Sequence, residues 1–131
     1  MRYGFIGCGN MGGAVARAVC KGAGAENVLL ANRTPAKAEA LAAELGCSVG
    51  DNPQVARDCH FIFLGVKPQV MPGMLSQIAP MLAGRKDAFV LVTMAAGLSM
   101  ARIRELAGGN HPIIRIMPNT PAAVGAGMVQ Y

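Results

Sequence analysis

The apolar positions of this chain alternate between short extended runs and longer stretches with helical spacing, from the first residues to the last. Tyr3–Ile6 reads as a short strand, and Met11–Lys21, rich in Ala and Val, as a helix entered through glycines. Asn27–Ala31 reads as a second strand. Thr34 then offers an N-cap hydroxyl, Pro35 fits the first helical position, and Gly46 ends the helix after Leu45. Cys47–Val49 makes a brief third strand, and Asp51 or Asn52 caps a short helix with Pro53 at its first position.

His60–Val66 carries the strongest strand signal, because Phe61-Ile62-Phe63-Leu64 is continuously apolar, as a strand buried on both faces requires. Met71, Met74, Leu75, Ile78 and Leu82 then recur at helical spacing, with Pro72 in the first turn. Pro80 lacks an amide hydrogen and is expected to kink or break this helix near its end. Ala88–Thr93, Ser99–Ala107 and Pro112–Met117 read as strand, helix and strand, and residues 118–131 as loop with room for one more strand. Strand–helix alternation of this kind implies βαβ units with right-handed crossovers and a parallel sheet.

Composition narrows the class. At 131 residues and 53% apolar, the chain suits one compact core and is short for two domains, so residues 1–131 are expected to form a single domain. Charged or polar residues interrupt every apolar run, so no membrane span is expected, and no signal peptide precedes the first glycines; a cytoplasmic location follows as the expectation. Cys8, Cys20, Cys47 and Cys59 form no C-x-x-C pair, and only His60 and His111 could join them, which argues against a metal site and favours reduced thiols as small apolar fillers. Both histidines stand at strand starts, the end of the sheet away from a cofactor. The net charge of +5 is dispersed, and four phenylalanines and two tyrosines lie mostly within apparent strands, so nucleic acid is not an expected partner.

Gly7-Cys8-Gly9-Asn10-Met11-Gly12 is a G-x-G-x-x-G set between a strand and a helix, the context in which that motif binds a dinucleotide. Gly7 permits the tight turn, Gly9 leaves space for a pyrophosphate, and Gly12 lets the helix approach the sheet. The helix amides and dipole then face the phosphates, and Met11 stands next to them. The implied architecture is α/β: a Rossmann-type doubly wound, mainly parallel sheet of six to seven strands with helices on both faces.

At the end of the second strand, where an NAD-binding domain usually places an acid for the ribose, stand Asn32-Arg33-Thr34. Arg33 suits a 2′-phosphate that a carboxylate would repel, and Asn32 and Thr34 add neutral donors. NADP(H) is therefore expected over NAD(H), with NAD(H) still accommodated. The alternative is that Thr34 only caps and Arg33 is a solvated surface residue. Gly65-Val66-Lys67-Pro68 falls at the carboxyl end of the fourth strand, where ligands of open α/β sheets bind; Lys67 is equally readable as a strand-end lysine in water. Ala95-Ala96-Gly97 would let a flat ring lie close to backbone, and Asn119 can give and take hydrogen bonds as a carboxamide needs, although both stretches also suit ordinary turns.

Together these stretches resemble the pyrroline-5-carboxylate reductase family. They are Phe5–Gly12, Asn32–Thr34, Phe63–Gln69, Ala95–Gly97 and Arg115–Gly125, in the family's order. Arg115-Ile116-Met117-Pro118-Asn119-Thr120-Pro121 is the most specific of them, and Met94 is a departure where the family often has a smaller residue. The resemblance implies that Ile6, Gly7, Cys8, Gly9, Asn10, Met11 and Gly12 cradle the pyrophosphate and that Asn32, Arg33 and Thr34 hold the phosphorylated ribose. It implies that Asn52 lies on the adenine side, and that Val66, Lys67, Pro68, Ala95, Ala96 and Gly97 flank the nicotinamide ribose and ring. Asn119 would meet the nicotinamide or the substrate edge.

The reaction implied is hydride transfer to the imine carbon of 1-pyrroline-5-carboxylate, giving proline, by positioning and electrostatics; no catalytic residue is identifiable in these 131 residues. Family members continue into a helical domain that dimerises and binds the imine. The apolar stretch at Val129-Gln130-Tyr131 reads as a cut at a strand, so the full-length protein is expected to be longer and homo-oligomeric and these residues alone to bind cofactor with little turnover. The competing readings are another small imine or hydroxy-acid reductase of this architecture, and a non-catalytic dinucleotide-sensing or regulatory paralogue.

Overall fold

The computed structural model describes residues 1–94, 98–109 and 111–116, with the side chains of Asn10 and Met11 left aside. Its elements are β1 (Tyr3–Ile6), α1 (Asn10–Ala23), β2 (Val28–Ala31), α2 (Pro35–Leu45), β3 (Ser48–Val49), α3 (Asn52–Asp58), β4 (Phe61–Leu64), α4 (Met71–Ala83), β5 (Val90–Thr93), α5 (Met100–Ala107) and β6 (Ile113–Arg115). The six strands form one sheet in the order β3-β2-β1-β4-β5-β6, and every pairing is parallel. This is the Rossmann-type α/β arrangement expected from the alternation of elements.

Side-chain alternation divides the core between the two faces of the sheet. Ile6, Leu29, Ile62 and Leu91 pack with Val55 and Ala56 of α3, the buried stripe of α4, and Ile103 and Ala107 of α5. Phe5, Leu30, Phe63 and Val92 pack on the other face with Val15, Ala16 and Val19 of α1 and Ala38, Leu41 and Ala42 of α2. Because β1 and β4 are in register, Phe5 stacks on Phe63 with centroids 4.3 Å apart, adding ring–ring attraction to the burial of both.

The strands are shorter than their apolar runs. The fourth covers Phe61–Leu64 instead of His60–Val66, and the fifth Val90–Thr93 instead of Ala88–Thr93, because ladder pairing ends before the hydrophobic stretch does. The sixth covers Ile113–Arg115 within the expected Pro112–Met117, with Met117 outside the described residues. Two local expectations are corrected. Pro80 neither ends nor breaks α4, which runs on to Ala83. The proline removes one bond to the carbonyl of Ser76, but both residues are exposed, where the loss of one helix bond costs least. Thr34 does hold the N-cap position of α2 in an extended conformation, yet its hydroxyl makes no capping bond. Asp51 does cap α3, its Oδ1 accepting from the Gln54 amide at 2.9 Å.

The amino-terminal edge of the sheet is tied by Arg85, whose side chain is 5% exposed. Its Nη1 donates to the carbonyls of Ala56 (3.0 Å) and Cys59 (2.5 Å), and the guanidinium lies over the Phe89 ring, 4.7 Å from the centroid. Arg85→Ala leaves those carbonyls without their donor and is expected to lower unfolding stability by about 2–4 kcal/mol in urea titrations. The exposed partner Asp87 is held down to about 2 by the hydrogen bond from Arg85. A depressed carboxylate stabilises the fold above its ordinary value and ceases to do so as pH falls towards 2. Asp87→Asn is therefore expected to reduce stability at neutral pH, with the difference from the unaltered protein shrinking as pH falls from the ordinary carboxylate range through about 2.

Candidate functional site

The carboxyl ends of β1 and β4 meet in a contact that only glycines allow. Gly7 has φ +99°, and a Cβ there would lie 2.7 Å from the Gly65 carbonyl carbon. A Cβ on Gly12 would stand 2.4 Å from the Gly7 carbonyl oxygen, so α1 opens directly against the turn. Gly9 differs: among the described residues a Cβ there meets nothing within 4 Å, which leaves the space above the loop open to that extent. The first turn of α1 begins at this point, and first-turn amides lack intrahelical acceptors and carry the positive end of the helix dipole. An open space fronted by such amides fits a diphosphate.

Neighbouring contacts hold this loop in shape. Gly7 donates its amide to Ala31 O at 2.8 Å, and Cys8 donates its amide to Asn32 Oδ1 at 2.9 Å. Asn32 Nδ2 donates in turn to Thr34 O at 3.0 Å. Both ends of the Asn32 amide are thus engaged in joining the glycine loop to the β2–α2 turn, a role its residue type did not announce. Burial, with Cys47 adding, pushes the Cys8 thiol up to about 11, so it stays neutral at physiological pH and brings no thiolate into the loop. Ile6, which precedes the glycine turn, is 1% exposed within the core, and its carbonyl accepts the Gly65 amide at 2.8 Å.

Beside the loop, at the carboxyl ends of β2 and β3, lies an open cleft of about 210 Å³. It is lined by Asn32 and Arg33 after β2, by Val49 to Pro53, and by Pro35, Ala38 and Gln77. Arg33 and Thr34 are exposed. The cleft therefore brings together the adjacent Asn32 and Arg33, after β2, and Asn52, at the start of α3. It also includes two residues that sequence reasoning did not place there. From sequence Asp51 reads only as a helix cap, and Gln77, on α4, has no motif to mark it. Asn52 Nδ2 donates to Gln77 Oε1 at 3.1 Å, joining the start of α3 to α4 across the cleft.

Lys67 and Pro68 are exposed in the turn after β4, while Val66 packs partly against the core. They stand on the same edge of the sheet as the glycine loop, because parallel β1 and β4 end in register. Ala95, Ala96, Gly97 and Asn119, and the side chains of Asn10 and Met11, lie outside the described residues. Among the described residues no helix is long and apolar enough to cross a membrane.

Comparison with known proteins agrees with this geometry. Residues 2–97 match a family described as NADP oxidoreductase, coenzyme F420-dependent. A pyrroline-5-carboxylate reductase of Escherichia coli K12 is 39% identical over 134 residues, covering 97% of this chain and 47% of that protein. The solved pyrroline-5-carboxylate reductase of Coxiella burnetii superposes with a TM-score of 0.83 at 26% identity, covering 94% of this chain and 46% of its own. That of Plasmodium falciparum, solved with NADP bound, gives 0.76 at 27% identity, covering 95% and 45%. The chain thus spans about half the length of the curated relatives it matches. With a glycine turn closed on Gly65 and a cleft carrying Arg33, the chain belongs to the NADP oxidoreductase, coenzyme F420-dependent family, and it is similar to the amino-terminal half of pyrroline-5-carboxylate reductases.

Proposed function

We propose that this chain is the cofactor-binding part of a pyrroline-5-carboxylate reductase, holding NADP(H) in preference to NAD(H) for reduction of 1-pyrroline-5-carboxylate to L-proline. The observation that carries the reading is the pairing of an open, glycine-walled diphosphate cradle with an adjoining cleft that presents Arg33. The nicotinamide, when bound, supplies the hydride that reduces the C=N bond. The chain's own residues bind and orient. Gly7, Gly9 and Gly12, with the first amides of α1, take the diphosphate, and Cys8 contributes backbone to the same turn. Arg33 takes the 2′-phosphate while Asn32 holds the turn that presents Arg33, with Thr34 beside it. Asn52 borders the adenine.

Val66, Lys67 and Pro68 lie along the path to the nicotinamide, for which Ala95 to Gly97 and Asn119 are the further proposed contacts. Among the described residues Asp51 is the one acid lining the cleft, and its Oδ1 accepts the Gln54 amide as the α3 cap. Calorimetry with NADPH and NADH tests the reading: tighter binding of NADPH is expected, and equal affinity would overturn the preference.

The curated relatives are about twice as long as this chain, and the imine site is assigned to residues beyond these 131. In a steady-state assay with 1-pyrroline-5-carboxylate, the 131-residue chain is therefore expected to bind NADPH with little turnover. Substantial turnover would place the imine site within these residues. In the full-length protein a homo-oligomer and a cytoplasmic location complete the proposal.

A further inference from the structure

We propose that Gln77, acting as a pair with Asn52, recognises the hydrogen-bonding edge of the adenine base, making α4 a specificity element of the cleft. This rests on the dinucleotide reading above. Asn52 Nδ2 donates to Gln77 Oε1 at 3.1 Å, and both residues line the cleft that also holds Arg33. A primary amide has one acceptor oxygen and a donor nitrogen. Once one amide's nitrogen bonds the other's oxygen, the pair keeps one wholly unused acceptor, Asn52 Oδ1, beside one wholly unused donor nitrogen, Gln77 Nε2, with a single N–H and a single lone pair left on the bonded atoms. If both amides are reversed, the same set remains, one acceptor beside one donor.

Adenine carries a matching set: an amino donor on N6 beside an acceptor ring nitrogen, the pattern that Asn and Gln read on this base elsewhere. A guanidinium and an amide pair lining the same cleft thus suit the two ends of a 2′-phosphorylated adenosine. A purely structural role for the bond is less economical. Helices α3 and α4 are already held together by buried Val55, Ala56, Leu75 and Ile78, and a bond between exposed amides adds little to that packing.

The test compares NADP+ with its 1,N6-etheno analogue, in which a bridge removes the N6 donor and blocks N1, keeping every phosphate and sugar. The unaltered chain is expected to bind NADP+ about tenfold more tightly than the analogue, the size of a lost neutral hydrogen-bond pair. In Gln77→Ala and in Asn52→Ala the ratio is expected to fall towards one through weaker NADP+ binding, with the analogue's affinity within about twofold and the ligand-free melting temperature unchanged. The double variant is expected to match either single one, because the pair acts as a unit.

Gln77→Glu keeps an acceptor for Asn52 but has no donor, and it is expected to behave as Gln77→Ala. An unchanged ratio in Gln77→Ala, or equal binding of both nucleotides by the unaltered chain, overturns this inference while leaving the dinucleotide reading intact. Failure of the unaltered chain to bind either nucleotide overturns both.

Discussion

Gly9→Val is expected to abolish measurable cofactor binding, a loss of at least about a hundredfold, while leaving the melting temperature within about 2 °C of the unaltered chain. The stability half of the expectation follows from geometry. Gly9 has φ −73° and ψ −165°, which any residue adopts, and among the described residues its Cβ would meet no atom within 4 Å. The binding half follows from where that open space lies, in front of the first amides of α1. A branched side chain there occupies the volume that a diphosphate needs in order to reach them.

Gly7→Ala is the contrasting case. Its φ of +99° and a Cβ 2.7 Å from the Gly65 backbone strain the fold itself. Steric and conformational costs together come to about 2–5 kcal/mol, so melting is expected to fall by roughly 10 °C or more. Calorimetric titration and thermal melts on the two variants separate the roles. Were Gly9→Val to bind NADPH normally, the cradle assignment would be lost; were Gly7→Ala to melt normally, the close contact with Gly65 would be.

Arg33→Ala is expected to weaken NADPH binding by about tenfold to a hundredfold and to leave NADH within about twofold. A hydrogen bond to a charged group contributes about 1.5–3 kcal/mol, and Arg33 would make such bonds to the 2′-phosphate alone. Because Arg33 is exposed, salt screens it, and the upper part of that range belongs to low ionic strength. Titrations with both nucleotides at two salt concentrations check this. In the unaltered chain the preference for NADPH should shrink as salt rises, and in Arg33→Ala it should be small at both. An NADPH preference that survives the substitution would assign the 2′-phosphate to another cation.

The glycine loop was readable from sequence because its constraint is local: a turn needs positive φ, and a helix must start within a few residues of a strand. The position of Arg33 at the mouth of the β2–α2 turn was readable for the same reason, two residues beyond an identifiable strand end. Gln77 was not. It lies on the exposed side of a helix recognised by its buried stripe, and that stripe carries no information about what the opposite face meets. Asn32 shows a different limit. Its residue type suggested a ligand donor, yet the fold engages both ends of its amide in holding the glycine loop against the β2–α2 turn. Thr34 and Pro80 show that residue type alone does not fix a local outcome: Thr34 takes the N-cap position without a hydroxyl bond, and α4 continues past Pro80 to Ala83.

The order of strands and helices, the parallel sheet and the identity of the glycine turn were determined by the linear pattern of residues, because period, turn chemistry and handedness act over short stretches of chain. Tertiary structure alone decided which distant segments share the cleft. Arg33, Asn52 and Gln77 are brought together by strand order and by the packing of α3 on α4, long-range contacts that no spacing along the chain encodes.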